Sequence, residues 1–467
     1  MRKPLLATLF ICLALSAALA AHSTEEWKSR TIYQIITDRF ARTDASDDGD
    51  CEDLHHYCCG TFKGLENNLD YIQKMGFDAI WISPVPENYG EDYHGYGALD
   101  WYNVNPRFGG EDDLKSLIHE MHKRDMWVML DVVANHVAYI DEDYEKVTPF
   151  DKEEYYHVKC QINNWDDPNE VEYCRLSNLP DLNQDNPYVR EELKKWIKWV
   201  IDEFDIDGIR IDTVPHVKRE FWKEYTDAAG CYAVGEALNG DPHFLASYQG
   251  PLPAMLNYHA FFASRDLFEK GYSMYTLRDV VNTDNEVFPD PTVLGTFVDN
   301  HDKARFLSYH SDQKNYQNLL VFNFFLQGIP IVYYGTEQSF NGGDDPWNRE
   351  TLWGNMDTES EMYKFVTNMV NARKQFKVWE HPHIERYVNQ DIYAFSRGDV
   401  LIATTNVHTS FGVDITYLPD SYKEGDILCN VLSTGNDCIT VTNGSLNVHF
   451  DDGEPKVYVP QARLVKE

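Results

Sequence analysis

Four places in this chain of 467 residues set carboxyl, imidazole or guanidinium groups at the ends of short apolar runs. Asp131 and the pair Asn135-His136 close the run 127–133, Arg210 and Asp212 close 208–212, Glu236 closes 233–236, and His301-Asp302 follow 295–299. Alternation along Gly208-Ile209-Arg210-Ile211-Asp212 puts the two isoleucines on one face of an extended segment and Arg210 with Asp212 on the other. A guanidinium beside a carboxylate favours the ionised form. An ionised, oriented carboxylate can attack an acetal carbon while a second carboxyl group, still protonated, serves the leaving oxygen. When configuration is retained the two groups stand about 5–5.5 Å apart. Glu236, ending the next apolar run, is the natural proton donor. Any one of these acids alone reads equally well as a solvated strand-end acid; as a set they do not.

Such groups need a scaffold that delivers strand ends to one place. Strand-like runs are expected at 79–85, 127–133, 208–212, 233–236, 295–299 and 329–334. Between them lie helical periods. Val189, Leu193, Trp196, Ile197, Val200, Ile201 and Phe204 recur at helical spacing behind Asn186-Pro187, an N-cap and a first-turn proline. Met362, Phe365, Val366, Met369 and Val370 repeat the pattern. Strand–helix alternation over this length implies a parallel sheet. Six or more units suit a closed (β/α)8 TIM barrel of about 250 residues plus insertions, with its chemistry at the carboxyl ends of the strands. The expected organisation is a barrel over 21–136 and 187–380, an inserted irregular subdomain over 137–186, and a C-terminal antiparallel β-sandwich over 381–467. The insert is far longer than an ordinary connection, which marks it as functional. The sandwich follows from short β-rich runs near 392–396, 401–405 and 457–459.

Composition narrows the setting. Arg2 and Lys3, an apolar run to Leu15 and the small-residue site Ala18-Leu19-Ala20 read as a secretory signal peptide over 1–20. The run is shorter than the about 20 apolar residues a membrane span needs. A formal net charge of −35 repels nucleic acid and anionic membranes, so neither is expected as a partner. Secretion permits disulfides. Cys160 and Cys174 bracket one short loop, Cys429 and Cys438 another, and Cys51 has both Cys58 and Cys59 within reach. Cys231, in an apolar run, reads as a buried free thiol. Asn443-Gly444-Ser445 is a glycosylation sequon.

Against that background the segment Asp131–His136 resembles the first signature of the α-amylase family of glycoside hydrolases, in particular its secreted fungal-type members. Gly208–His216 resembles the second signature, Gly235-Glu236-Ala237-Leu238 the third, Phe297–Asp302 the fourth, and Leu179-Pro180-Asp181-Leu182-Asn183 the fifth. They occur in the family's order over nearly the whole mature chain. The resemblance implies that Asp212 is the nucleophile, Glu236 the acid/base and Asp302 the third acid, stabilising the transition state. It places Arg210, His136 and His301 around the cleaved glucose and Tyr96 as an aromatic platform beneath it. Asp345 and Arg349 would bind units further toward the non-reducing end, and Trp165 would stand on the leaving-group side. Without the resemblance, Tyr96 would read as core packing.

The resemblance also implies calcium, held by Asn135, Glu172, Asp181 and the main-chain carbonyl of His216. All offer oxygen, as a hard cation requires. Two belong to the barrel and two to the insert, so the ion would join the two bodies rather than take part in the chemistry. Three positions depart from the family pattern: Pro215 replaces a lysine, Gly97 a frequent tryptophan and Asn239 a common aspartate. All border the leaving-group side in those relatives, and proline lacks the donor that lysine offers.

The expected activity is hydrolysis of internal α-1,4 bonds of starch, glycogen and maltooligosaccharides by a secreted monomer. The same residues would serve an α-glucosidase or a transglycosylase, because water and sugar acceptors compete for one intermediate. A glucan-binding protein without catalysis could share the fold, since folds host many functions.

Overall fold

Eight short parallel strands form one sheet. They are β1 (Ile32–Gln34), β2 (Ala79–Ile82), β3 (Trp127–Val132), β4 (Gly208–Ile211), β5 (Tyr232–Gly235), β6 (Ala254–Met255), β7 (Gly295–Thr296) and β8 (Ile329–Tyr333). Their order is β6-β5-β4-β3-β2-β1-β8-β7, and a parallel bridge between Leu256 and Gly295 joins the two ends into a ring. The computed structural model describes residues 22–44, 51–433, 435 and 437–464; the expected signal peptide at 1–20 lies outside them.

The strands are buried on both faces, which is why they read as continuous apolar runs rather than alternating ones. Two strands escape sequence reading. β1 is three residues and β6 is two, too short for any period to register. The others end earlier than their apolar runs suggest. β7 stops at Thr296, so Phe297–Asp302 is loop.

The helix Pro187–Phe204 follows the expected stripe. Asn186 accepts from the Tyr188 amide at 2.9 Å, Pro187 fills the first turn, and Asp205 ends the helix in the left-handed region at φ 57°. The seven apolar residues predicted for its inner face are all buried, and the Trp196 indole donates to the Trp101 carbonyl at 2.7 Å.

Between β3 and this helix the chain forms short 3-10 turns and one helix, Pro168–Tyr173, closed by the Cys160–Cys174 disulfide. The insert is sewn to the barrel by main chain. Leu182 donates to the Asn135 carbonyl at 2.8 Å, and Val137 to that of Pro180 at 3.1 Å. Within it, Arg175 clamps Glu142 in a two-pronged ion pair at 2.6 and 2.8 Å.

Toward the C-terminus a six-stranded antiparallel sheet packs against a two-stranded one. Alternation in the strand Ile392–Arg397 explains how. Ile392 and Ala394 face the second sheet, meeting Ile415, Leu446, Val448 and Phe450, while Tyr393 and Phe395 join the barrel's core. Three disulfides are formed, and Cys51 pairs with Cys58. Cys59 is free and exposed. Cys231 is free as expected but only partly buried, its thiol pushed up to about 12 chiefly by burial. Among the described residues no helix is long and apolar enough to cross a membrane.

Candidate active site

The carboxyl ends of β3, β4 and β5 converge on one guanidinium. Arg210, wholly buried on β4, donates through Nη1 to Asp212 Oδ1 at 2.8 Å and to Asp131 Oδ1 and Oδ2 at 3.0 and 3.2 Å. Its Nη2 lies 3.9 Å from Glu236 Oε2. The Arg210–Asp212 pair is the one that strand alternation anticipates. Thr213, just past Asp212, has φ 47°, an uncommon conformation for a branched residue. That turn aims its amide at Glu236 Oε2, 2.9 Å away.

Three acids here meet different surroundings. Burial pushes the Glu236 carboxyl up to about 8; Arg210 opposes this, while the charges of Asp212 and Asp302 add to it. Glu236 therefore keeps its proton at neutral pH. Asp131 is raised to about 7, again chiefly by burial, with Arg210 opposing. Asp302 stands in the loop beyond β7, its side chain a third exposed. Burial would raise it, but His301, Arg210 and Arg349 outweigh that and hold it below the usual carboxylate range.

A relay of hydrogen bonds fixes the neighbours. Gln34 Nε2 donates to His301 Nδ1 at 2.7 Å, which leaves the His301 proton on Nε2. Nε2 meets the Tyr96 hydroxyl at 2.6 Å, and that hydroxyl donates to Asp131 Oδ2 at 2.8 Å. Burial lowers His301 to about 4, so the ring is neutral. The Tyr96 and His301 rings lie nearly parallel, 6° apart at 5.6 Å. Trp81 Nε1 completes the Asp131 shell at 3.0 Å. His136 is buried, with its Nε2 lacking any partner and its ring kept neutral by burial against the pull of Asp212. A buried, unpartnered ring nitrogen is a ready group for a ligand hydroxyl.

Arg349 extends the site. Its Nη1 is 3.0 Å from Asp345 Oδ1 and 3.1 Å from the Tyr93 hydroxyl, its Nε donates to the His301 carbonyl at 3.0 Å, and its Nη2 is 4.0 Å from Asp302. Trp165 does not join this group. It stands 62% exposed on the insert, edge-on to the His216 ring at 6.0 Å.

The expected cation ligands come together in part. The Asn135 amide oxygen faces only acceptors, Asp181 Oδ1 at 2.9 Å and the His216 carbonyl at 3.0 Å. Three oxygens with no proton among them repel one another unless a cation lies between them or the amide turns over. His157 Nδ1 binds the other Asp181 oxygen at 2.6 Å, and burial raises the Asp181 carboxyl to about 6 with His157 opposing. The residues therefore fit calcium. Glu172 fits less directly. Burial raises its carboxyl, and the charges acting on it are those of Glu220, Lys218, Arg219 and Asp185, none of them in the triad. Its helix reaches the triad through Val171, whose carbonyl meets His216 Nδ1 at 3.1 Å. Among the described residues no cluster of three or more histidine, cysteine or acidic side chains could hold a metal.

Of the three departures, Gly97 has a structural counterpart. A Cβ there would lie 2.0 Å from Asp92 Oδ2, so the Asp92 carboxylate occupies the space a side chain would need. Sequence reading gave no part to Gln34, Trp81, Tyr93, His157 or Asp92. Asp131 is legible as a strand end and as the start of the first signature, without a role of its own.

A closed parallel barrel with convergent acids at its carboxyl edge, an insert after β3 and a C-terminal sandwich is the architecture of a glycoside hydrolase. Residues 34–393 match the alpha-amylase catalytic-domain family. An α-amylase of Saccharomycopsis fibuligera is 37% identical over 462 residues, covering 94% of this chain and 92% of that one. Alpha-amylase 1 of Lipomyces kononenkoae is 41% identical over 375 residues, covering 77% of this chain and 60% of that one. The solved structure of an α-amylase from Malbranchea cinnamomea superposes with a TM-score of 0.90 at 36% identity, covering 95% of this chain and 99% of that one. The chain belongs to the alpha-amylase family.

Proposed function

We propose that the protein is a secreted, endo-acting α-amylase that cleaves internal α-1,4-glucosidic bonds of starch-type glucans with retention of configuration. The observation that carries this reading is that Arg210 bonds Asp212 at 2.8 Å while Glu236, at the end of the neighbouring strand, stands 3.9 Å from the same guanidinium. Asp212, its Oδ1 held by Arg210, presents its other oxygen to the anomeric carbon. Glu236 gives its proton to the departing glycosidic oxygen, and a glycosyl ester forms on Asp212 as the bond to that oxygen breaks. Glu236, now ionised, then takes a proton from water as the water attacks the same carbon and frees Asp212. Asp302 and His136 bond the sugar hydroxyls, and those bonds strengthen as the ring flattens, while His301, engaged by Gln34 and Tyr96, holds Tyr96 in place.

Calcium, bound by Asn135, Asp181 and the His216 carbonyl with Glu172 beside them, would supply charge that holds the insert to the barrel. The domain boundaries proposed are those set out from the sequence. Secretion rests on the segment 1–20 and accords with three formed disulfides. The Asn443 sequon lies on an exposed turn, available to a glycan.

The test is direct. Soluble starch should lose its iodine colour while chromogenic monoglucosides stay intact, and the first products should carry the α anomer by NMR. Asp212→Asn should abolish turnover and keep oligosaccharide binding. First products of β configuration, or release of glucose alone, would overturn the reading.

A further inference from the structure

Trp347 is out of keeping with its surroundings. It sits between Asp345 and Arg349 on the loop after β8, yet its side chain is 54% exposed while the loop around it is tightly fixed. Tyr333 OH bonds the Asn348 carbonyl at 3.1 Å, Arg39 Nη1 the Arg349 carbonyl at 3.1 Å, and Asn348 Nδ2 the Lys303 carbonyl at 2.9 Å. Gly342 packs so closely that a Cβ there would lie 1.8 Å from the Trp347 carbonyl oxygen. A large apolar ring is thus held out into water by a rigid support.

It also has a backing. His55 meets the indole edge-on, 5.9 Å between ring centres at 86°. His55 is itself held, its Nδ1 and its amide both binding Asp53 Oδ1, at 2.8 and 2.9 Å, within the loop that Cys51–Cys58 closes. Arg39 ties that loop to the same place through the Leu54 and His56 carbonyls, both at 2.9 Å. Two loops from opposite ends of the chain, after β1 and after β8, therefore meet at Trp347. At right angles to His55 and more than half exposed, the indole keeps much of its surface open to solvent. An indole face is electron-rich and attracts the polarised C–H face of a pyranose. Its neighbours Asp345 and Arg349 offer the acceptor and donors that a sugar's hydroxyls need.

We infer that Trp347, braced by His55, is a stacking platform for a further glucose unit of the glucan, making it a determinant of preference for long chains. This rests on the proposed glucan hydrolysis. The experiment compares wild type, Trp347→Ala and Trp347→Phe on maltooligosaccharides of increasing length. The expected result is a loss of kcat/KM in Trp347→Ala that grows with chain length, reaching about fivefold to tenfold on the longest substrate, with Trp347→Phe recovering most of it. His55→Ala should give a smaller loss of the same shape. A loss equal at every length, or none, overturns the platform even though the wild type cleaves glucan. A wild type that cleaves no oligosaccharide overturns the underlying function instead. Melting temperature, read for each variant, separates lost contact from lost fold.

Discussion

Asp212 and Glu236 end neighbouring strands and lie at the two terminal nitrogens of one side chain: Arg210 Nη1 is 2.8 Å from Asp212, and its Nη2 is 3.9 Å from Glu236. The short contact ties Asp212 to the guanidinium, while the longer one leaves burial in control of Glu236, whose carboxyl is pushed up to about 8.

The proton on Glu236 sets the alkaline limit of activity. With its carboxyl at about 8, kcat/KM should hold at neutral pH and fall as pH rises through that region, since the acid form is the active one. Glu236→Gln should lower kcat by about 10²- to 10⁴-fold. The same burial costs stability. A carboxyl raised from 4.5 to about 8 binds more protons folded than unfolded across that interval, so its contribution falls as pH rises. Glu236→Gln should therefore melt higher than wild type, by a margin that widens with pH. An alkaline limb unchanged in position when a slow residual activity of the variant is followed would remove Glu236 from this role.

Arg210→Met should be severely destabilising. It strands Asp131 and Asp212 without their buried partner, a loss of about 3–5 kcal/mol. Denaturant unfolding measures this, and a variant within experimental scatter of wild type would show that the carboxylates neutralise without it.

Chelation should lower the melting temperature and activity together. An ion at about a thousand times its dissociation constant contributes roughly 4 kcal/mol to folding. Asp181→Asn should abolish the effect of added calcium, and His157→Ala should weaken affinity by about 10- to 100-fold because His157 orients Asp181. A melting curve indifferent to excess chelator argues against the site.

Removing the Cys160–Cys174 link, which spans 14 residues, should cost about 3 kcal/mol. Proteolysis should then cut first within 160–174, with the barrel intact. Cleavage starting elsewhere would mean that the link does not govern the insert.

If Pro215, Gly97 and Asn239 weaken the leaving-group side, products released from maltooligosaccharides should differ in length from those of ordinary fungal-type amylases. Timed chromatography of the products decides this, and identical profiles dispose of it.

What the sequence discloses depends on how local the signal is. Arg210 and Asp212 are two residues apart, so strand alternation alone brings them together. The Pro187–Phe204 helix carries both its stripe and its cap within a single window. Gln34 and His301 are 267 residues apart, and they become neighbours only because β8 pairs with both β1 and β7. Trp81 and Asp131 meet because β2 and β3 pair directly, a pairing that a linear reading does not disclose. The partner of Cys51 was likewise undecidable in one dimension. Asp38 accepts from the amides of both Cys58 and Cys59, at 2.7 and 3.1 Å, and the left-handed φ of 73° at Cys59 turns its thiol outward. His301 and Asp302 sit in a loop several residues past β7, where the apolar run continues although the strand does not.

The ring of strands is fastened unevenly. β6 and β7 contribute two residues each, and they join through the Leu256–Gly295 bridge, with the Asn257 amide on the Gly295 carbonyl at 2.8 Å. That single bridge is the narrowest rung of the ring, and opening is expected there first. The lip of that seam leads directly into His301 and Asp302, so any breathing of the joint widens the mouth of the groove on the third acid's side. Deuterium uptake at Asn257 reports that breathing without touching the chemistry.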